Sequence, residues 1–235
     1  MTRRTCPDGL RRLSVTVLLT SVLLSGCMSQ QTTGKITPDP DSASATVAYT
    51  RLGIAYLERN NLSRAIASLD RALEIDPRDA EALQAMALVY RRQGEASLAD
   101  ESFKQALAAD PGMTRARNNY AAFLYEEGRV REACEQLERA SRDTKYPNRA
   151  QLFSNLGQCQ RRLGDIEAAR QSLTRAQNID PRQADSYLLL ARLEYGQGNY
   201  AEAERQLDLY IRLAGSNDAA QSLAREILRA NGTAP

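Results

Sequence analysis

Small side chains recur along this chain at a fixed step. Alanines stand at Ala65, Ala99, Ala133, Ala169 and Ala203, with spacings of 34, 34, 36 and 34. A second series, Ala72, Ala106, Ala140 and Ala176, keeps the same step and has Tyr210 in its fifth place. Residues seven apart share a helix face, so each alanine pair predicts a helix with a flat side that admits a close neighbour. A bulky apolar residue falls between each pair: Leu69, Phe103, Leu137, Leu173 and Leu207. An amphipathic stretch precedes each pair, as in Leu52-Gly53-Ile54-Ala55-Tyr56, and predicts a first helix. Between the two helices comes a residue that tolerates a left-handed backbone: Gly94, Gly128, Gly164 and Gly198, with Asn60 in the first place. Asp-Pro closes three units at Pro77, Pro111 and Pro181, because proline disfavours helix in the residue before it. Pro147 falls two residues late and marks the lengthened unit.

The units run over 46–79, 80–113, 114–149, 150–183 and 184–217, and residues 218–230 predict a capping helix. A paired-helix unit of this length resembles the tetratricopeptide repeat. The resemblance implies an all-α, right-handed superhelix of about five repeats, in which no unit buries its apolar face alone.

The N-terminus has a different pattern. Arg3, Arg4, Arg11 and Arg12 precede an apolar run from Leu13 to Leu24. That run is too short to cross about 30 Å of hydrocarbon as a helix and suits a signal peptide over 1–26. It ends in Leu24-Ser25-Gly26-Cys27, which resembles the lipobox of bacterial lipoproteins. The resemblance implies cleavage before Cys27 and a diacylglycerol thioether on its sulfur. The alternative is an ordinary signal peptide with a chance cysteine. Several acyl chains anchor stably where one is marginal. Met28, where an Asp would retain the protein at the inner membrane, implies the periplasmic face of the outer membrane. Residues 27–43 then read as lipidated cysteine and flexible tether, with Pro38, Pro40 and little to bury. The repeat domain follows over 44–235.

Composition removes several function classes. The chain has no His, which excludes His-dependent nucleophile pairs and His-ligated zinc. The net charge of +2 comes from the leader, which carries +3; the remainder is near −1 and makes no case for nucleic acid. The sequence contains no Gly-rich phosphate loop and no metal-ligand cluster. The expectation is a protein-binding scaffold: no enzyme, no cofactor, no metal, no small-molecule substrate.

The third and fourth units narrow the family. They carry Asn118-Asn119-Tyr120-Ala121-Ala122-Phe123-Leu124-Tyr125-Glu126, then Tyr146-Pro147-Asn148-Arg149 in the lengthened loop, then Asn155-Leu156-Gly157. This run resembles the PilF/PilW family of type IV pilus biogenesis lipoproteins. The chain stops after a lone helix where several members carry a complete sixth repeat. The resemblance implies a pilotin: a protein that binds subunits of the pilus secretin and promotes their outer-membrane localisation and assembly. A different periplasmic repeat lipoprotein, serving outer-membrane protein assembly or cell-wall machinery, is the other reading.

In this repeat the first helices line a concave face, exposing roughly positions 2, 5, 9 and 12 of each unit. These positions are Val47, Thr50, Ile54 and Leu57, then Glu81, Gln84, Leu88 and Arg91. Arg115, Asn118, Ala122 and Tyr125 follow, then Gln151, Ser154, Gln158 and Arg161. The candidate partner-binding residues are Ile54, Leu57, Leu88, Arg91, Asn118, Asn119, Tyr125, Asn155 and Arg161, with Tyr146, Pro147 and Arg149 in the loop. Ile54 and Leu57 serve a partner or simply pack against neighbours; Asn118 and Asn119 serve a partner or bridge groups between units. The carboxylate-clamp mode of peptide binding is disfavoured, since Thr50 and Ile54 stand where it needs Lys and Asn. Cys134 and Cys159 fall on helices that the repeat makes neighbours. They form a disulfide in an oxidising compartment, worth roughly 3 kcal/mol, or remain buried thiols.

Replacing Cys27 tests the anchor. Fractionation of cells carrying Cys27→Ala is expected to find the protein in the soluble periplasm or at the inner membrane; normal recovery with the outer membrane would reject the lipobox.

Overall fold

The structure, a computed structural model, describes residues 40–232. The segment read as signal peptide, Cys27 and the part of the expected tether up to residue 39 lie outside the described residues. The described residues form eleven helices and no strand. They are α1 (Pro40–Glu58), α2 (Leu62–Ile75), α3 (Ala80–Gln93), α4 (Ala96–Ala109), α5 (Thr114–Glu126), α6 (Val130–Ala140), α7 (Arg149–Leu163), α8 (Ile166–Ile179), α9 (Ala184–Gly196), α10 (Tyr200–Ala214) and α11 (Asp218–Ala230). Each odd helix from α1 to α9 pairs with the even helix after it, and each pair stacks on the next, as a solenoid of repeats requires. α11 lays Ala220, Leu223 and Ile227 onto Tyr187, Leu207 and Tyr210 and closes the last apolar face.

The alanine step explains the pairing. Ala65, Ala99, Ala133, Ala169 and Ala203 have no exposed surface, and the apolar residue that follows each is 0–3% exposed. Two first helices go further and carry glycine at the contact. A Cβ on Gly157 would lie 2.6 Å from Leu173 Cγ and 3.0 Å from the Ala169 carbonyl oxygen; one on Gly53 would lie 2.6 Å from Leu69 Cγ. Asn60 does the work of the turn glycines, with φ of 56°, the only positive φ outside glycine among the described residues.

Two departures from expectation have local causes. Residues 40–43, read as tether, form the first turn of α1. Pro40 lacks the N–H that this turn leaves unpaired in any case, and Asp41 suits the positive end of the helix dipole. The lengthened loop exceeds its two inserted residues. α6 has 11 residues where α2, α4 and α8 have 14, so the connection spans 141–148. Asp143 then turns the chain by accepting from the Lys145 N–H at 2.9 Å, as Asp76, Asp110 and Asp180 do in the ordinary loops. Cys134 on α6 and Cys159 on α7 are joined as a disulfide, with Cα atoms 5.6 Å apart.

Polar clamps cross between units on the side of the second helices. Asp100 of α4 accepts from Arg129 at 2.6 Å and from the Tyr120 hydroxyl at 2.8 Å. Two units on, Arg170 of α8 takes the place of Asp100 with the charge reversed. It donates to the buried Glu194 of α9 at 2.6 Å, and Asn199 donates to the same carboxylate at 2.6 Å. Burial pushes the Glu194 carboxyl up, but the hydrogen bonds from Arg170 and Asn199 outweigh it and hold it below its ordinary value. Such pairs add little net stability but penalise a wrong register, where one charge would be buried alone.

Gly157→Ala is expected to lower unfolding free energy by about 1–3 kcal/mol, since the Ala169 carbonyl cannot move aside as a side chain can. Gly196→Ala, whose Cβ meets open space, should instead gain up to about 1 kcal/mol; urea titration of both checks this. Glu194→Gln should cost about 2 kcal/mol at pH 7. Because the folded-state pKa is depressed, that contribution is present above the ordinary value of 4.5 and fades as pH falls through the folded value. Urea midpoints of the wild type and the variant should therefore converge in acid; a constant gap would show that the carboxylate's charge is not what holds the clamp.

Candidate functional site

The first helices α1, α3, α5 and α7 present one face, and two clefts lie along it. The N-terminal cleft, of about 210 Å³, has a floor of Ile54, Leu57, Ala85 and Leu88. Its rim carries Glu58, Glu81, Arg92 and Arg115, with Asn119 at the side. Arg115 pairs with Glu81 at 2.5 Å, and Arg92 donates to the Leu57 carbonyl, so both cations are tied down. Gln84 also lines this cleft. It is 4% exposed, and its buried amide oxygen has no hydrogen-bond partner. An unmet acceptor in a buried amide is unusual and costly.

The second cleft, of about 290 Å³, lies between α5 and α7. Its lining is Ala121, Ala122, Tyr125, Glu126, Leu137, Asn155 and Gln158. The alanines make room, while Tyr125 and the amides supply an aromatic wall and hydrogen-bonding edges. Glu126 is held by Arg91 in a two-pronged pair whose Nε contact is 2.8 Å. A chain of amides runs beside this cleft. Asn155 donates to Asn118 at 3.0 Å, Gln151 to Asn155 at 3.0 Å, and Gln183 to Gln151 at 2.9 Å. Each link leaves further lone pairs and N–H groups for an extended peptide.

The sequence-predicted residues divide accordingly. Ile54, Leu57, Leu88 and Asn119 meet in the N-terminal cleft, and Tyr125 and Asn155 in the second. Asn118 bridges two units. Arg91 is committed to Glu126, and Arg161 lines neither of these two clefts. Tyr146 is half-buried against the core around Phe153, Pro147 is exposed, and Arg149 stacks on the Phe153 ring at 5.5 Å. Two expectations need correction. Leu57 is 4% exposed and belongs chiefly to the core, offering the cleft only an edge. Thr50, Gln84 and Ser154, at the fifth position of their units, are buried rather than exposed. The cause is the last residue of the same unit, which caps the next unit's first helix: Thr50 donates to Asp79 at 2.7 Å and Ser154 to Gln183 at 2.8 Å, 29 residues on in each case.

Among the candidate binding residues, sequence reasoning left out Glu126, Glu81 and Arg115, and the amides Gln151 and Gln183, although Glu81, Arg115 and Gln151 fell at groove-lining positions. A signal for the first three was present. Arg115 lies 34 residues after Glu81 and Glu126 lies 35 after Arg91, so the repeat period sets opposite charges side by side.

Comparison with known proteins agrees with this architecture. Family profiles described as tetratricopeptide repeat match residues 80–113, 112–182 and 160–227, and one described as TPR repeat matches 53–94. The type IV pilus assembly protein PilF of Pseudomonas aeruginosa is 36% identical over 201 residues, covering 86% of this chain and 80% of the relative. The solved structure of that organism's PilF superposes with a TM-score of 0.76 at 35% identity, over 82% of this chain and 86% of the other. The structure of PilW, described as a widely conserved type IV pilus biogenesis factor, gives 0.75 at 27% identity, over 80% and 87%. The YrrB repeat protein, at 22% identity and a TM-score of 0.64, shares the fold. The paired helices, their period and these relatives lead to one assignment: the chain is a tetratricopeptide-repeat protein and belongs to the PilF/PilW family of type IV pilus biogenesis factors.

Proposed function

We propose that this protein is an outer-membrane pilotin, lipid-anchored through Cys27 and facing the periplasm. It binds subunits of the type IV pilus secretin in its concave groove and promotes their localisation and multimerisation. It acts by binding and positioning rather than by catalysis. The observation that carries the reading is the N-terminal cleft: an apolar floor of Ile54, Ala85 and Leu88 inside a charged rim, with an unmet acceptor on Gln84. Such a surface suits an apolar segment of a protein whose backbone N–H groups still need acceptors, as in a secretin subunit not yet assembled. Family membership supplies the pilus context. The tether lets the groove work at a distance from the lipid surface while the anchor raises its effective concentration there.

The deciding measurement is the amount of secretin multimer in outer membranes from cells with and without this gene. Loss of multimer with monomer still present is the expected result; unchanged multimer would remove the pilotin role. Within the groove, Asn118→Ala combined with Tyr125→Ala should weaken secretin binding by about tenfold, or 1.4 kcal/mol, with the helical circular-dichroism signal retained. Unchanged affinity in that folded variant would move the binding site out of the second cleft.

A further inference from the structure

One aromatic ring outside the groove carries two cations and no anion. Phe153, on α7, is 4% exposed. The Arg175 guanidinium of α8 lies 4.5 Å from its centroid, and that of Arg149, at the start of α7, lies 5.5 Å from it. Both are within the range in which a ring face attracts a cation. The two guanidiniums can therefore be no further apart than those two distances together. Among the described residues neither donates a hydrogen bond, neither makes an ion pair, and the buried Arg149 Nε has no partner. By contrast Arg91, Arg129 and Arg170 are paired, with Glu126, Asp100 and Glu194 in turn, while the Arg161 Nε is likewise without a partner among the described residues.

The carboxylate nearest in the chain does not fill the gap. Asp143 accepts from the Thr114 hydroxyl at 2.7 Å and from the Lys145 N–H at 2.9 Å, and it meets Arg149 only through its field. Arg142 and Lys145, both exposed on the loop over 141–148, add further positive charge. Two like charges converging on one ring, with their N–H groups unspent, form half of an anion site. A guanidinium held against a ring keeps its planar edge free, and that edge matches a carboxylate in a two-pronged pair.

We propose that Arg149 and Arg175, positioned by Phe153, bind carboxylate side chains of an acidic segment of a partner protein, at a second site distinct from the concave groove. A protein segment fits better than a lipid surface. Membrane docking by a basic loop also needs apolar side chains to insert; Pro147 is the only apolar residue this loop fully exposes, and Tyr146 is half-buried against the core. The site does not depend on the identity of the groove's ligand.

The test uses the full-length protein labelled with ¹⁵N-arginine and the peptide acetyl-Glu-Glu-Glu-Glu-amide as probe. The Nε–H resonances of Arg149 and Arg175 are expected to shift together and saturate, while that of exposed Arg131 stays in place. Arg175→Gln, at an exposed position, should weaken the peptide at least fivefold without changing the melting temperature. Unchanged affinity in Arg175→Gln, or an equal response at Arg131, would overturn the site. A larger response to inorganic phosphate, or to phosphatidylglycerol vesicles, than to the peptide would overturn the acidic-segment ligand.

Discussion

Close approach of two helix backbones is the constraint on which the rest of this molecule depends. It is set by residues with almost nothing to contribute individually: Ala65 and Ala72, their counterparts in later units, and Gly53 and Gly157 on the facing helices. Each lets one large side chain, such as Leu69 or Leu173, fill the seam. The resulting pair has apolar residues left on both outer faces. A single unit is therefore unstable in water, and stacking is the only way to cover those faces. Among the described residues, α1 begins the stack and α11 ends it.

Stacking at a fixed step has electrostatic consequences. Residues one period apart become neighbours, so Glu81 meets Arg115 and Arg91 meets Glu126 along the groove. Residues 29 apart become neighbours at the unit boundaries, which turns Thr50 and Ser154 inward to Asp79 and Gln183. The charge-reversed clamps at Asp100 and Arg170 make these boundaries unlike one another. A slip by one unit would leave Glu194 buried without its guanidinium, so the order of units is enforced although their shape is shared. The groove inherits this difference: apolar at its N-terminal end, amide-lined in its middle.

The lengthened loop is the one place where the step is broken, and three features gather around it. α6 ends early, the Cys134–Cys159 disulfide ties α6 to α7, and Tyr146 packs half-buried against the core cluster that includes Phe153. Together they restore a seam that the insertion would otherwise open. They also leave Arg149 and Arg175 over one ring with no anion, which is how a structural repair creates a surface that binding could exploit.

The repeat, its boundaries in the turns and the family resemblance were all legible in the sequence, because small, bulky and turn-forming residues keep their chemistry whatever surrounds them. The family resemblance rested on Asn118–Glu126 and the Tyr146–Arg149 loop, short runs whose identity needs no coordinates. The partners of the groove residues were not legible. Thr50 and Ser154 occupy positions that an isolated helix would expose, and they are turned inward only where Asp79 and Gln183 cap the helix that follows. Arg91 reads as a free cation until α5 brings Glu126 against it. Asn118 and Asn119 are adjacent in sequence, yet one bridges units and the other faces a cleft. One-dimensional pattern determines which residues can form a face. Which side chains that face keeps available is decided by contacts between units, whose energies depend on distances that the order of residues does not contain.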